Sequence, residues 1–136
     1  MSQENVEIVR RCSAAWQRDD FEAWLSFIDP GVEWLSAIER GLGLAGTVFR
    51  GHEGMREFWD LWRTEVEEFW TGGDEIRDLG DERVLRLAQM RFRGRASGIL
   101  AESQLALVIT LRDGKIVRSE DYLSPAEALK AVGLEE

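Results

Sequence analysis

From Leu105 onward, apolar residues recur at every second position: Leu105, Leu107, Ile109 and Leu111. That alternation predicts an extended strand with one continuously apolar face. Arg112-Asp113-Gly114-Lys115 follows, a tight Asp-Gly turn and a strong short-range hairpin signal. The return strand, Ile116 to Leu123, carries Ser119, Asp121 and Leu123 on one face, and Glu120 and Tyr122 on the other. Ser124-Pro125-Ala126-Glu127 then reads as an N-cap, a first-turn proline and a capping-box glutamate. The helix it opens runs from Pro125 to Val132 and stops at Gly133.

Before this hairpin the pattern starts with a helical period. Val6, Val9, Cys12 or Ser13, and Trp16 define a first helix from a Ser2 cap to about Gln17. Asp19, with Glu22 three residues on, is the expected cap of a short helix through Phe21, Trp24, Leu25 and Ile28, broken by Asp29-Pro30-Gly31. Val32 to Leu35 reads as a strand, Ser36 to Gly46 as a long, flexible, glycine-rich loop, and Thr47 to Arg50 as a second strand. After Gly51-His52-Glu53-Gly54, the stripe Met55, Phe58, Trp59, Trp62, Val66, Phe69 and Trp70 predicts a long third helix ended by Gly72-Gly73. Strands follow over Glu75 to Leu79 and Val84 to Arg93, with turns at Gly80-Asp81 and around Gly94 and Gly98. Helices followed by antiparallel strands predict an α+β fold in one domain, residues 1–136, with the helices covering one face of a curved sheet.

Composition narrows the functions. Seventeen basic against 26 acidic residues give a net charge of −9, which disfavours nucleic acid because phosphate binding needs a basic surface. One cysteine excludes an internal disulfide, and one histidine excludes a histidine-rich metal site. No apolar run is long enough to span a membrane and no signal pattern opens the chain, so a cytoplasmic protein without cofactor or metal is expected.

Two stretches carry a family resemblance: Phe49-Arg50-Gly51-His52-Glu53-Gly54-Met55-Arg56-Glu57-Phe58-Trp59, and the tail from Arg112 through Asp121-Tyr122-Leu123 to Leu129. With the element order, they resemble the SnoaL-like group of the nuclear transport factor 2-like superfamily. The resemblance implies a cone, in which a strongly curved antiparallel sheet wraps around N-terminal helices and encloses an apolar pocket. It also implies dimerisation through the sheet's other face. Members include polyketide cyclases, ketosteroid isomerases, epoxide hydrolases and non-catalytic binding modules, so the fold leaves the function open. Cys12, Trp34 and Leu107 stand where ketosteroid isomerases carry a tyrosine and two aspartates, which argues against that chemistry. Asp121-Tyr122-Leu123 is similar to the last-strand Asp-Tyr-Phe of limonene-type epoxide hydrolases, but their Arg-x-Asp is missing at Arg86-Leu87-Ala88. SnoaL-type cyclases pair the last-strand aspartate with a histidine, and that position here is Leu107.

Asp121 is therefore the residue on which catalysis is expected to rest. A carboxylate walled by leucines is poorly solvated and suits a general base, unless Arg86 reaches it and makes a structural ion pair. Arg86 alternates with Ala88, Met90 and Phe92, so these side chains are expected to face the cone. Cys12, Trp16, Trp34, Phe58 and Trp62, with Arg86, Met90, Phe92 and Leu107, complete the expected wall for a small apolar molecule. An alternative reading is a non-catalytic ligand-binding or protein-interaction module whose pocket is filled by its own aromatics. Leu85, Leu87, Ala106 and Val108 fall on the opposite sheet face, where a second copy is expected to cover them.

Overall fold

The computed structural model describes residues 2–36, 48–96, 98, 100–122, 125–131 and 133. Along the chain run α1 (Ser2–Gln17), α2 (Phe21–Ser26), β1 (Ile28–Leu35), β2 (Val48–Arg50), α3 (Gly51–Glu65), β3 (Val66–Gly80), β4 (Arg83–Gly94), β5 (Leu100–Arg112), β6 (Lys115–Tyr122) and α4 (Pro125–Ala131). The strands form one curved, unclosed six-stranded sheet in the order β2-β1-β6-β5-β4-β3. Every neighbouring pair is antiparallel except β1 with β6, which run parallel. The fold is the expected α+β arrangement, with that one parallel contact added to a sheet read as wholly antiparallel.

The main core forms between the concave face and the helices. Val6, Val9 and Cys12 of α1, Trp24 of α2, and Met55, Phe58, Trp59 and Trp62 of α3 pack on Leu105, Leu107, Ile109 and Leu111 of β5. The β5–β6 turn has positive φ at both Asp113 and Gly114, the backbone a two-residue hairpin needs. His52 at the start of α3 lies 2.8 Å through Nε2 from the Ile28 carbonyl, tying that helix to β1. Gly54 allows the same helix to sit close to β2, since a Cβ there would come 2.9 Å from the Phe49 carbonyl carbon.

Several expectations change. Asp20, not Asp19, caps α2 by accepting from the Ala23 N–H at 3.1 Å, while Asp19 pairs with Arg63. Ile28 belongs to β1 rather than to α2. The third helix ends at Glu65, and Val66 to Trp70 start β3 instead. Val66, Phe69 and Trp70 fit both a helical stripe and a strand; pairing with β4 from Val66↔Gly94 to Gly80↔Arg83 decides for the strand. The glycine-rich loop beyond Ser36 and the first residue of the expected second strand, together residues 37–47, lie outside the described residues, as do Leu123 and Ser124.

The outer face differs most. Leu85, Ala106 and Val108 are buried within the chain itself, in a second cluster with Ala128 of α4, against which Leu79, Leu87, Tyr122 and Leu129 pack. The apolar patch that called for a second copy is thus covered by the chain's own last helix. At its β2-β1-β6 end this face is polar, where Glu33 pairs with Arg50 and Arg118, and Arg118 also with Glu120, while Trp70 and Leu100 stay exposed toward β3. No described helix is long and apolar enough to cross a membrane.

Candidate functional site

Register sets the site. Ile76, Arg86, Leu107 and Asp121 are successive cross-strand partners on β3, β4, β5 and β6, so they form one row across the sheet. Arg86 and Asp121 flank Leu107, with their backbones about 10 Å apart, two strand spacings. β1 runs parallel to β6 with Leu35 beside Glu120, which brings Ser36, one step on, level with Asp121. Ser36 Oγ donates to Asp121 Oδ2 at 2.9 Å. Both side chains are buried, Ser36 at 1% and Asp121 at 5% exposure.

This row lies along a cavity of about 80 Å³ between the concave face and the helices. Cys12, Ser13 and Trp16 of α1, Trp34 of β1, Phe58 and Trp62 of α3, Arg86 and Met90 of β4, Leu107 of β5 and Asp121 of β6 all contribute to its wall. Asp121 is the only carboxylate among the described residues of that wall.

Arg86 does not make the ion pair considered for it with Asp121; its partner is Asp74. Nε donates to Asp74 Oδ2 at 3.0 Å and Nη2 to Oδ1 at 3.1 Å, with Thr71 Oγ1 3.5 Å from Nη2. The same cluster ties β3 to α1, as Ser13 Oγ donates to Asp74 Oδ2 at 3.3 Å and Gln17 Nε2 to the Thr71 carbonyl at 2.7 Å. A β-bulge produces this arrangement. Thr71 pairs with Met90 and Gly72 with Gln89, but the next pair in register is Glu75 with Leu87, so Gly73 and Asp74 stand against the single residue Ala88. Gly73 supplies the left-handed backbone at φ +65°. The extra residue shifts the alternation, which brings Asp74 to the side of Thr71 and Arg86.

Aromatic side chains make up most of the remaining wall. Trp16 meets Trp24, Phe58, Trp59, Trp62 and Phe69, with centroids 5.2 to 6.5 Å apart. Arg63 closes the cluster from outside, its guanidinium 3.4 Å from the Trp59 ring centroid and 4.5 Å from that of Trp16. Burial pulls its pKa down, against the opposing pull of Asp19. Burial also pushes the Cys12 thiol up to about 12, with the positive charge of Arg86 acting in the other direction. Such a thiol stays protonated and is a poor nucleophile. Among the described residues no three His, Cys, Asp or Glu side chains gather as metal ligands would.

Of the wall expected from the sequence, Phe92 alone lies off the cavity. It is on the inward face of β4, but the strand runs past the cavity's end, where its ring packs edge-on against Trp62 at 5.4 Å. Phe92 instead borders a second, more open recess of about 340 Å³ with Glu68, Trp70, Arg91, Arg93 and Leu100, away from Asp121. Sequence reading missed Ser36, Thr71 and Asp74. Ser36 carries on the alternation of Val32 and Trp34, so a signal for it existed; Asp74 depends on the bulge and had none.

The SnoaL-like domain model matches residues 9–119. The chain belongs to the SnoaL-like family. No curated protein matches its sequence. Among solved structures, this SnoaL-like chain is similar to an NTF2-like protein of unknown function from Burkholderia pseudomallei, with 25% identity over 96% of this chain and 98% of that one and a TM-score of 0.79. TerC, co-crystallized with polyporic acid, is 26% identical over 93% of this chain and 96% of its own, with a TM-score of 0.77. A candidate polyketide cyclase from Xanthomonas campestris is similar in fold, with a TM-score of 0.78 at 16% identity over 97% of this chain and 98% of that one.

Proposed function

We propose that this SnoaL-like protein binds a small, flat, mainly apolar molecule in the cavity and removes a proton from it, with Asp121 as general base. The observation that carries this reading is the buried Asp121, oriented by Ser36 and set in a mainly apolar and aromatic wall whose one charged group besides it, among the described residues, is Arg86. A base beside a bound carbonyl compound can take the proton from the adjacent carbon, the step shared by cyclase and isomerase chemistry. TerC, crystallized with a small organic molecule, and the candidate cyclase support a ligand of this kind.

A second reading has an observation of its own. At about 80 Å³ the cavity is smaller than the roughly 150 Å³ engineered apolar cavity that takes benzene. A ring-sized ligand must push Trp16, Trp34, Phe58 or Trp62 aside as it enters. If those rings hold their places, the protein is a non-catalytic module whose pocket its own aromatics fill.

Both readings are open to one experiment. Four cavity tryptophans, Trp16, Trp24, Trp34 and Trp62, allow binding of one-ring ketones to be followed by fluorescence quenching. Exchange of the ligand's α-protons in D2O is then followed by proton NMR. The base reading expects accelerated exchange that falls about 10²-fold or more in Asp121→Asn, with the melting temperature little changed. No binding supports the module with a filled pocket, and binding with no acceleration over buffer supports a non-catalytic ligand-binding module.

A further inference from the structure

Arg86 is buried to 8% exposure and lines the cavity, yet only one edge of its guanidinium is engaged. Nε and Nη2 are held by Asp74 and Thr71, while Nη1 has no hydrogen bond among the described residues. The guanidinium is planar, so an Nε–Nη2 edge fixed on Asp74 turns Nη1 to the other side of the group. Among the described residues only Arg63 Nη1 and Ser119 Oγ are sealed from water without a partner, so Arg86 Nη1 borders space that water reaches. An oxygen entering the cavity would take the place of that water.

Charge limits which oxygen fits. Asp74 compensates the Arg86 charge at two points, and the described cavity wall adds the carboxyl of Asp121 without a second cation. An incoming carboxylate would meet a compensated guanidinium on one side and another carboxyl two strands away. A neutral carbonyl takes the Nη1 hydrogen bond without that repulsion. Its apolar body then lies over Leu107, between the two polar ends of the row.

We infer that Arg86 Nη1 anchors a neutral carbonyl oxygen of the ligand, and that the Asp74 pair makes the cavity select ketones over carboxylic acids. This rests on the cavity being a ligand site, as proposed above, and adds the polar group that the ligand must carry.

Three ligands matched in size separate the cases by fluorescence quenching and calorimetry at neutral pH: acetophenone, ethylbenzene and benzoate. The expected order has acetophenone about tenfold tighter than ethylbenzene, the worth of one hydrogen bond to a charged donor, and benzoate weakest. In Arg86→Gln the advantage of acetophenone over ethylbenzene disappears while ethylbenzene binding holds. In Asp74→Asn, with the guanidinium charge uncompensated, benzoate tightens about tenfold. Should Arg86→Gln fail to fold, the wild-type series and Asp74→Asn still decide. Equal binding of acetophenone and ethylbenzene overturns the anchor. Benzoate as the tightest ligand, or benzoate unmoved by Asp74→Asn, overturns the charge selection. If none of the three binds, the ligand-site reading itself fails and the anchor falls with it.

Discussion

Asp74 grips Arg86 at two points, Nε to Oδ2 at 3.0 Å and Nη2 to Oδ1 at 3.1 Å, across the bulge in β3. Their side chains are only 26% and 10% exposed, so water does little to screen the pair. Removing one partner leaves the other desolvated. Asp74→Asn and Arg86→Met should each lower stability by about 1–3 kcal/mol, less than for a fully buried pair because Asp74 keeps some solvent. The double variant should cost clearly less than the sum of the two. Urea denaturation of the four proteins gives the coupling directly, and strict additivity would show the pair to be energetically idle.

Phe58 controls the size of the cavity. Its ring is 6% exposed and lies 5.3 to 6.2 Å, centroid to centroid, from those of Trp16, Trp24, Trp34 and Phe49. Phe58→Ala should cost about 3–5 kcal/mol and leave a void continuous with the existing space. Benzene at one fixed concentration should then raise the melting temperature of the variant by mass action, and by more than it raises that of the wild type. No thermal shift in the variant would mean that neighbouring rings collapse into the void.

Ala128 holds the last helix on the sheet. It is fully buried against Leu85, Ala106 and Val108, where a glutamate carboxylate would sit among apolar side chains. Ala128→Glu should undock α4 and expose the outer apolar patch. Dye binding to exposed apolar surface and light scattering are the readouts. The variant should bind dye and self-associate far more strongly than the parent. Unchanged scattering and dye binding would show that the patch is protected in some other way.

Cys12 sets an alkaline limit. Its thiol pKa is raised in the fold to about 12 from an ordinary 9.0, so the folded protein keeps the proton after the unfolded chain has lost it. The unfolded state then binds fewer protons, and stability falls as pH rises from about 9 to about 12. Cys12→Ala should flatten that part of the stability curve relative to wild type. At pH 8 the native thiol should react with a disulfide reagent only after denaturant opens the fold; rapid native reaction would contradict the burial.

Local rules reached far into this chain. The Asp113-Gly114 turn demands a hairpin because both its positions need positive φ, and the Leu105–Leu111 alternation leaves that hairpin one possible inward face. Once the face is known, Asp121 and Leu107 follow from the register and Arg86 from the alternation of β4. Val66 to Trp70 resisted the same treatment, since β-branched and aromatic residues at those spacings satisfy a helix and a strand alike. Only the ladder with β4 separates the two, and a ladder is a property of two distant segments.

The sequence by itself therefore determined the order of the elements, the inward face of each well-patterned strand and the presence of one carboxylate among leucines. Periodicity and turn chemistry act over a few residues, and a single chain displays them in full. Tertiary structure alone decided what each polar group meets. Asp74 turns inward because two residues oppose Ala88, Ser36 reaches Asp121 because β1 runs parallel to β6, and α4 covers an outer face that the pattern left open. Each depends on contacts between segments far apart in the chain, where bulges and strand direction, rather than residue type, determine which side chains meet.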